Sequence, residues 1–252
     1  MDSVSRPART PDSTTLIAGT MDGLQNQITG CRLCPRLVEW RERVASEKVR
    51  RFQDQEYWGK PVPSFGDREG RLLIVGLAPA AHGANRTGRM FTGDESGVFL
   101  YRALHKAGFA SQPVSTNRND GLALKDCYIS AVLHCAPPGN KPLPEEIRNC
   151  RDYLAREIGL LGNIQVVAAL GRIAFDHTLA VFEAANATSP GSREPHRNRP
   201  RFGHGVECNL GPGVTLIASF HPSQQNTFTG KLTEAMFDMI FSRARALLAE
   251  DS

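Results

Sequence analysis

The 252-residue sequence predicts an α/β protein built on a parallel sheet with helices on both faces. Two patterns carry this. Four short runs, nearly continuous in apolar and β-branched residues, suit strands buried on both sides. Between them lie stretches with helical spacing, and strands that alternate with helices pair in parallel. The composition agrees: 40% hydrophobic and 22% charged residues are ordinary for a globular chain and exclude collagen-like, coiled-coil and wholly disordered classes. At about 150 residues per domain the length fits one large domain or two small ones, either able to bury a core without disulfides.

Residues 1–15, rich in Ser, Thr, Pro, Asp and Arg, read as a disordered tail, leaving 16–252 as a single domain. Thr15 to Arg50 has a helical pattern broken by a small turn at Thr29-Gly30-Cys31, with Trp40, Val44 and Val49 at packing positions. The first strand is Arg71 to Leu77 (RLLIVGL), followed by a helix over Gly97 to Lys106. The second strand is Cys127 to Leu133 (CYISAVL). The helix after it, Glu145 to Leu161, has Pro144 at its start, where a missing N–H costs nothing. Ile164 to Leu170 (IQVVAAL) is the third strand and Arg172 to Ala185 its helix. Val214 to Phe220 (VTLIASF) is the fourth strand. The last helix, Lys231 to Leu248, places Leu232, Ala235, Met236, Met239, Ile240, Leu247 and Leu248 on one stripe. Ser189 to Gly205 carries four arginines, two histidines and three prolines, and reads as a mobile basic insertion, solvated or touching phosphates.

In parallel sheets the site lies at the carboxyl ends of the strands. That selects the segments after Leu77, Leu133, Leu170 and Phe220. Three of them carry unusual residues; the fourth, Gly171-Arg172, is a plain start of a helix.

Thirty Lys and Arg against 26 Asp and Glu give a net charge of +4, which permits a nucleic-acid partner without requiring one. The longest apolar stretch, Leu72 to Ala81, is too short to span a membrane and is broken by Gly76 and Pro79. The N-terminal residues lack the apolar core of a signal peptide, so a cytoplasmic location is expected. In that compartment six cysteines read as metal or cluster ligands before disulfides. Cys31 and Cys34 form a C-x2-C turn that points two thiolates at one centre. Cys135 follows the second strand, and Cys150 lies a turn and a half into the next helix. Four thiolates suit zinc or a [4Fe–4S] cluster, and spacing does not separate the two. Cys127, inside a strand, and Cys208, in a loop, are expected to be unliganded.

The stretches GLAPAAHGANRTGRMFTGD (Gly76–Asp94) and HPSQQNTFTGKLT (His221–Thr233) resemble the two motifs of the family 5, or type B, uracil-DNA glycosylases. CRLCPRLVEWRE (Cys31–Glu42), CAPPGNKP (Cys135–Pro142) and YWGKPVPSFGD (Tyr57–Asp67) are similar to other segments of that family, collinear from about Thr29 onward. The resemblance implies a three-layer α/β/α fold with a central four-stranded parallel sheet. It implies a [4Fe–4S] cluster on Cys31, Cys34, Cys135 and Cys150, and removal of uracil, hypoxanthine, ethenocytosine and hydroxymethyluracil. The wider superfamily places a carboxylate or amide early in the first motif. Here the segment reads Leu77-Ala78-Pro79-Ala80-Ala81, with no such group.

Breaking an N-glycosidic bond builds an oxocarbenium-like sugar and an anionic base, so the site needs donors at the base and an acceptor near sugar and water. The base must first be flipped from the duplex. His221 suits donation to a base oxygen, and Asn140 suits reading a base edge or holding a water. Asp94, the carboxylate of the first motif, suits water activation and equally a helix N-cap; the two roles are compatible. Phe91 suits stacking on the flipped base. Gly76, Ala78, Ala80, Ala81 and Gly83 let backbone approach base and sugar, while His82 either lines the pocket or faces solvent. Asn85, Arg86 and Arg89 are placed to bind substrate phosphates. Gln224, Gln225, Asn226, Thr227 and Phe228 form a loop suited to enter the minor groove and fill the vacated stack, Phe228 being its apolar wedge. Only Lys141 and Lys231 flank the motifs and neither is well placed for Schiff-base chemistry, so an abasic product without strand cleavage is expected. The partner would be single- or double-stranded DNA, bound by a monomer.

Two other readings compete. A non-catalytic module, stabilised by a cluster or zinc and binding nucleic acid or sensing redox state, explains the cysteines but not Asp94, Asn140 and His221 at three strand ends. A nucleotide-binding enzyme lacks both G-x-G-x-x-G and G-x-x-x-x-G-K-[ST].

Overall fold

A computed structural model describes residues 19–187 and 199–250. The expected tail (1–15) and residues 189–198 of the expected insertion lie outside the described residues. The chain opens with α1 (Met21–Thr29), capped by Thr20 Oγ1 on the Gly23 N–H at 3.1 Å, and α2 (Pro35–Glu47), which begins at a proline. β1 (Phe65–Gly66) and β2 (Leu72–Gly76) precede α3 (Ala84–Thr87) and α4 (Glu95–Lys106). β3 (Cys127–Ala131), α5 (Pro144–Leu160), β4 (Val166–Leu170) and α6 (Arg172–Ala187) follow. β5 (Glu207–Gly211), β6 (Val214–Ser219), α7 (Gln224–Phe228) and α8 (Glu234–Glu250) complete the order.

One sheet runs β1-β3-β2-β4-β6-β5. The four strands expected from the sequence form its parallel centre, with Ile74 opposite Ile129 on one side and Ala168 on the other. Two further strands pair antiparallel at the edges, so the sheet has six strands among the described residues rather than four. β1 is too short to show a period, and β5 (ECNLG) is half polar with an irregular register near Asn209, so neither leaves a hydrophobic signature. Cys208, expected in a loop, lies in β5.

Side chains alternate across the sheet and make two cores. Leu72, Ile74, Ile129, Ala168 and Ile217 face α4 and α8. Leu73, Val75, Val167, Ala169 and Leu216 face α1, α2, α5 and α6. Three layers result. α8 is rotated from the expected stripe: Phe237, Ile240, Phe241, Ala244 and Leu248 are buried, while Met239 is 61% exposed. Two phenylalanine rings, which remove more apolar area from water than the methionines, set its phase. Val49, expected to pack, is exposed. Residues 199–205 do not form a free solvated loop. Phe202 packs against Phe175 and Phe220, and His204 Nδ1 accepts the Phe220 N–H at 3.2 Å.

From β2 the chain crosses to β3 on one side, then returns to β4 on the other. The order reverses between β2 and β4. In open parallel sheets, the crevice at the carboxyl ends of such a pair is where ligands bind.

Candidate active site

Gly76 ends β2 at this crevice, and the Phe91 ring lies on it: a methyl group at Gly76 would stand 2.8 Å from Phe91 Cζ. Phe91 holds φ +52°, a left-handed conformation that strains a bulky residue and that persists where surroundings over-determine it. Here they do. A side chain at Gly97 would collide with the Phe91 carbonyl, and the ring meets His221 at 6.1 Å between centroids. His221 follows β6, half-buried, and its Cβ leans on Gly171 at the mouth of β4. The ring therefore bridges the two strands of the switch point. Burial pushes the His221 imidazole down to about 4, so it is neutral at physiological pH and carries one N–H to donate.

Asp94 sits at the start of α4. Its Oδ1 accepts the Gly97 N–H at 2.9 Å, the N-cap bond that the sequence allowed. The carboxylate also lies where a side chain at Gly83 would be. Burial raises its pKa, against the pull of the Gly97 N–H and the Arg86 charge. Ala78, Ala80 and Ala81 are half-exposed at the same mouth, and the Ala80 carbonyl receives the Gly83 and Asn85 N–H groups.

The cysteines gather on the opposite face of the sheet. Cys34 caps α2, Cys31 precedes it, Cys135 follows β3 and Cys150 lies within α5. All are free thiols. Burial raises Cys34, pushes Cys135 up to about 11 and Cys150 up to about 12, and the neighbouring cysteines raise each further. That mutual influence places them in one neighbourhood. No three His, Cys, Asp or Glu side chains among the described residues close around a single ion. Arg41, only 2% exposed, donates from Nη1 to Cys135 Sγ at 3.0 Å and from both terminal nitrogens to the Cys31 carbonyl. Its own carbonyl accepts the Asn85 side-chain amide at 3.3 Å.

The model of the uracil DNA glycosylase superfamily matches residues 63–245. A type-5 uracil-DNA glycosylase of Mycobacterium tuberculosis is 51% identical over 231 residues, covering 91% of this chain and 82% of that one. The type-5 enzyme of Thermus thermophilus is 49% identical, covering 87% and 94%, and that of Pyrobaculum aerophilum 40%, covering 90% and 93%. The chain belongs to the uracil-DNA glycosylase superfamily.

In this superfamily member the structure gathers some of the expected site residues and separates others. Phe91, His221, Gly76 and Gly171 are in contact, and Asp94 stands beside Gly83. Asn140 is on the same end of the sheet, in a turn over Pro138–Asn140 after β3, with φ +57° and an exposed side chain. No hydrogen bond joins it to Asp94 or His221.

Asn85 and Arg86 are not placed to meet phosphates. Asn85 is fully buried on the Arg41 and Ala81 carbonyls. Buried Arg86 donates to the His82 and Gly93 carbonyls and to Gln55, and lies over the Phe52 ring. Arg89 is likewise buried, paired with Asp120 at 2.7 Å. Arg86 satisfies two carbonyls of its own turn, Asn85 those of Arg41 and Ala81, and Arg89 the side chains of Thr92, Ser115 and Asp120.

The expected intercalating loop contains α7. Gln224, Gln225 and Phe228 face outward, Phe228 with 77% of its surface free. Asn226 and Thr227 turn inward, to the His221 and Ser223 carbonyls, and so brace the loop rather than reach the stack. Sequence reasoning missed Gly171, Arg41 and Tyr57. Arg41 and Tyr57 stood within family-like segments, yet nothing in their spacing announced a partner.

Proposed function

We propose that this protein flips uracil out of DNA and hydrolyses its N-glycosidic bond, leaving an abasic site for base-excision repair. The observation that carries this is the contact of Phe91 with His221 and Gly76 at the β2/β4 crevice, with Asp94 following at the start of α4. The Phe91 face offers a stacking surface for a planar base. Neutral His221 can donate to a base oxygen as negative charge builds there, and a neutral donor avoids competing with proton loss. Asp94 retains Oδ2 to orient a water and to offset charge on the sugar. Exposed Phe228 and the two glutamines beside it fit the gap left in the duplex. With no polar side chain in Leu77-Ala78-Pro79-Ala80-Ala81, nothing early in the first motif selects one base edge, which supports a wider range including hypoxanthine, ethenocytosine and hydroxymethyluracil. A cytoplasmic monomer acting on single- and double-stranded DNA fits a mildly basic chain in which no described helix is long and apolar enough to cross a membrane.

We assign the four cysteines to a [4Fe–4S] cluster. Arg41 provides the test of fit. A buried guanidinium needs a counter-charge. Its nearest carboxylate, Glu42 at 3.8 Å, is half-exposed and already held by Arg32. Four thiolates around a cluster carry a net negative charge beside Arg41 and supply what the neutral thiols lack. Bound there, a cluster cross-links the α1–α2 loop to β3 and α5; base removal is left to the other side chains.

The test is an excision assay on oligonucleotides carrying one uracil, followed by alkali. Cleavage only after alkali is expected. Absence of cleavage by cluster-loaded protein on uracil, hypoxanthine and ethenocytosine would leave a binding module instead. A second expectation follows from the Gly76 contact. Gly76→Ala drives a methyl into the Phe91 ring and displaces it from the base face. Since about 1 Å of misplacement can cost roughly 100-fold, kcat/KM should fall by about 10- to 100-fold, with a loss of about 1–3 kcal/mol of stability from the overpacked strand.

A further inference from the structure

His82 stands in the turn between β2 and α3, and no step above uses it. Its Nδ1 lies 3.0 Å from Tyr57 Oη, the two rings edge to face. Tyr57 is a buried residue. A buried hydroxyl needs an acceptor for its proton, and among the described residues Nδ1 of His82 is the one in hydrogen-bond reach of Oη. The imidazole proton is then on Nε2. That atom has no hydrogen-bond partner among the described residues and is not among their buried, unsatisfied atoms, so it opens to solvent at the mouth of β2. Burial and the nearby Arg86 charge hold the ring in its neutral form.

The surroundings indicate what it meets. The His82 carbonyl accepts Arg86 Nε at 2.7 Å, and Arg51 lies within the field of Arg86. Asp94, the carboxylate assigned above to the water and sugar, packs on the adjacent Gly83. A fixed N–H donor beside the Arg86 guanidinium, on the Asp94 side of the crevice, fits an anionic oxygen of the backbone rather than a base edge. We propose that His82, with its tautomer set by Tyr57, donates from Nε2 to a phosphate oxygen flanking the everted nucleotide.

This rests on the excision reading. The experiment uses the full chain and single-uracil oligonucleotides, either unmodified or with a neutral methylphosphonate 5′ or 3′ of the uridine. On the unmodified strand, His82→Ala should raise KM by about 10- to 100-fold, the worth of a hydrogen bond to a charged group, with kcat changed far less. On one of the two methylphosphonate strands, wild type and His82→Ala should become equal. His82→Gln, which keeps a donor near Nε2, should recover part of the loss, and Tyr57→Phe should lose part of it. An unchanged KM for His82→Ala, or a loss that persists on both modified strands, overturns the assignment. If His82→Ala does not fold, the His82→Gln and Tyr57→Phe comparison across the three strands decides by the same criterion. Failure of wild type to excise uracil from the unmodified strand would instead sink the excision reading.

Discussion

Asp94→Asn is expected to lower kcat/KM for uracil excision by about 100- to 10,000-fold, the range for losing a positioned general base, while the protein stays as stable as wild type or becomes more so. The two halves have separate causes. Asparagine caps helices as well as aspartate does, so the bond from the Gly97 N–H to the side-chain oxygen survives. The carboxylate, in contrast, is held above its ordinary pKa by burial. A carboxyl with a raised folded-state pKa favours folding while protonated, and that contribution is lost as pH climbs from the unfolded value through the folded one. At neutral pH the ionised Asp94 thus weighs against the fold, and the amide removes that penalty. Asp94→Ala separates the cap: it should be less stable than Asp94→Asn by about 1 kcal/mol, the worth of the cap bond. In wild type, activity should fall toward acid as Asp94 takes up its proton, at a pH above the usual carboxylate range. His221, protonating only near 4, contributes later. Thermal melts and pH profiles of the three proteins check this. A normal rate for Asp94→Asn would remove Asp94 from the chemistry and leave only the cap.

Cys135→Ser is expected to remove the iron and its visible absorption and to destabilise the protein by at least about 3–5 kcal/mol. That is the cost of breaking one partner of a buried charged pair. For a domain of this size it corresponds to a melting temperature lower by roughly 10 °C. The specific signature lies with Arg41. Without its negative partner the guanidinium is buried uncompensated, so adding Arg41→Met to Cys135→Ser should restore part of the loss, although Arg41→Met alone destabilises. Iron content and melting temperature of the four proteins complete the cycle. Iron-free wild type with an unaffected Cys135→Ser variant would dismiss the cluster.

The parallel core was legible because strands buried on both faces leave unbroken apolar runs such as LLIV and VVAAL. The two motif segments were legible because each follows such a run at its carboxyl end. What lay hidden had no periodic trace. The β1 edge is two residues long, and the turn of α8 depended on which of several apolar residues won the core. Asn85, Arg86 and Arg89 looked like solvent-facing phosphate binders because they are polar and sit in a glycine-flanked loop. Folded in place, the loop meets acceptors that claim them: the Arg41 carbonyl for Asn85, the Gly93 carbonyl for Arg86 and the Asp120 carboxylate for Arg89. The left-handed Phe91 and the Tyr57–His82 pair depend on contacts between distant segments, which spacing along a chain does not encode.

The hydrogen bond from Asn85 to the Arg41 carbonyl joins the cysteine side of the molecule to the turn that shapes the first motif. A cluster on the cysteines would thereby make the geometry of the excision site depend on a nutrient. Under iron starvation, newly made chains would emerge with Arg41 unbalanced and the turn of Asn85 poorly anchored. Uncorrected cytosine deamination would then rise with iron scarcity even at constant protein abundance, so the mutation rate would report on metal supply.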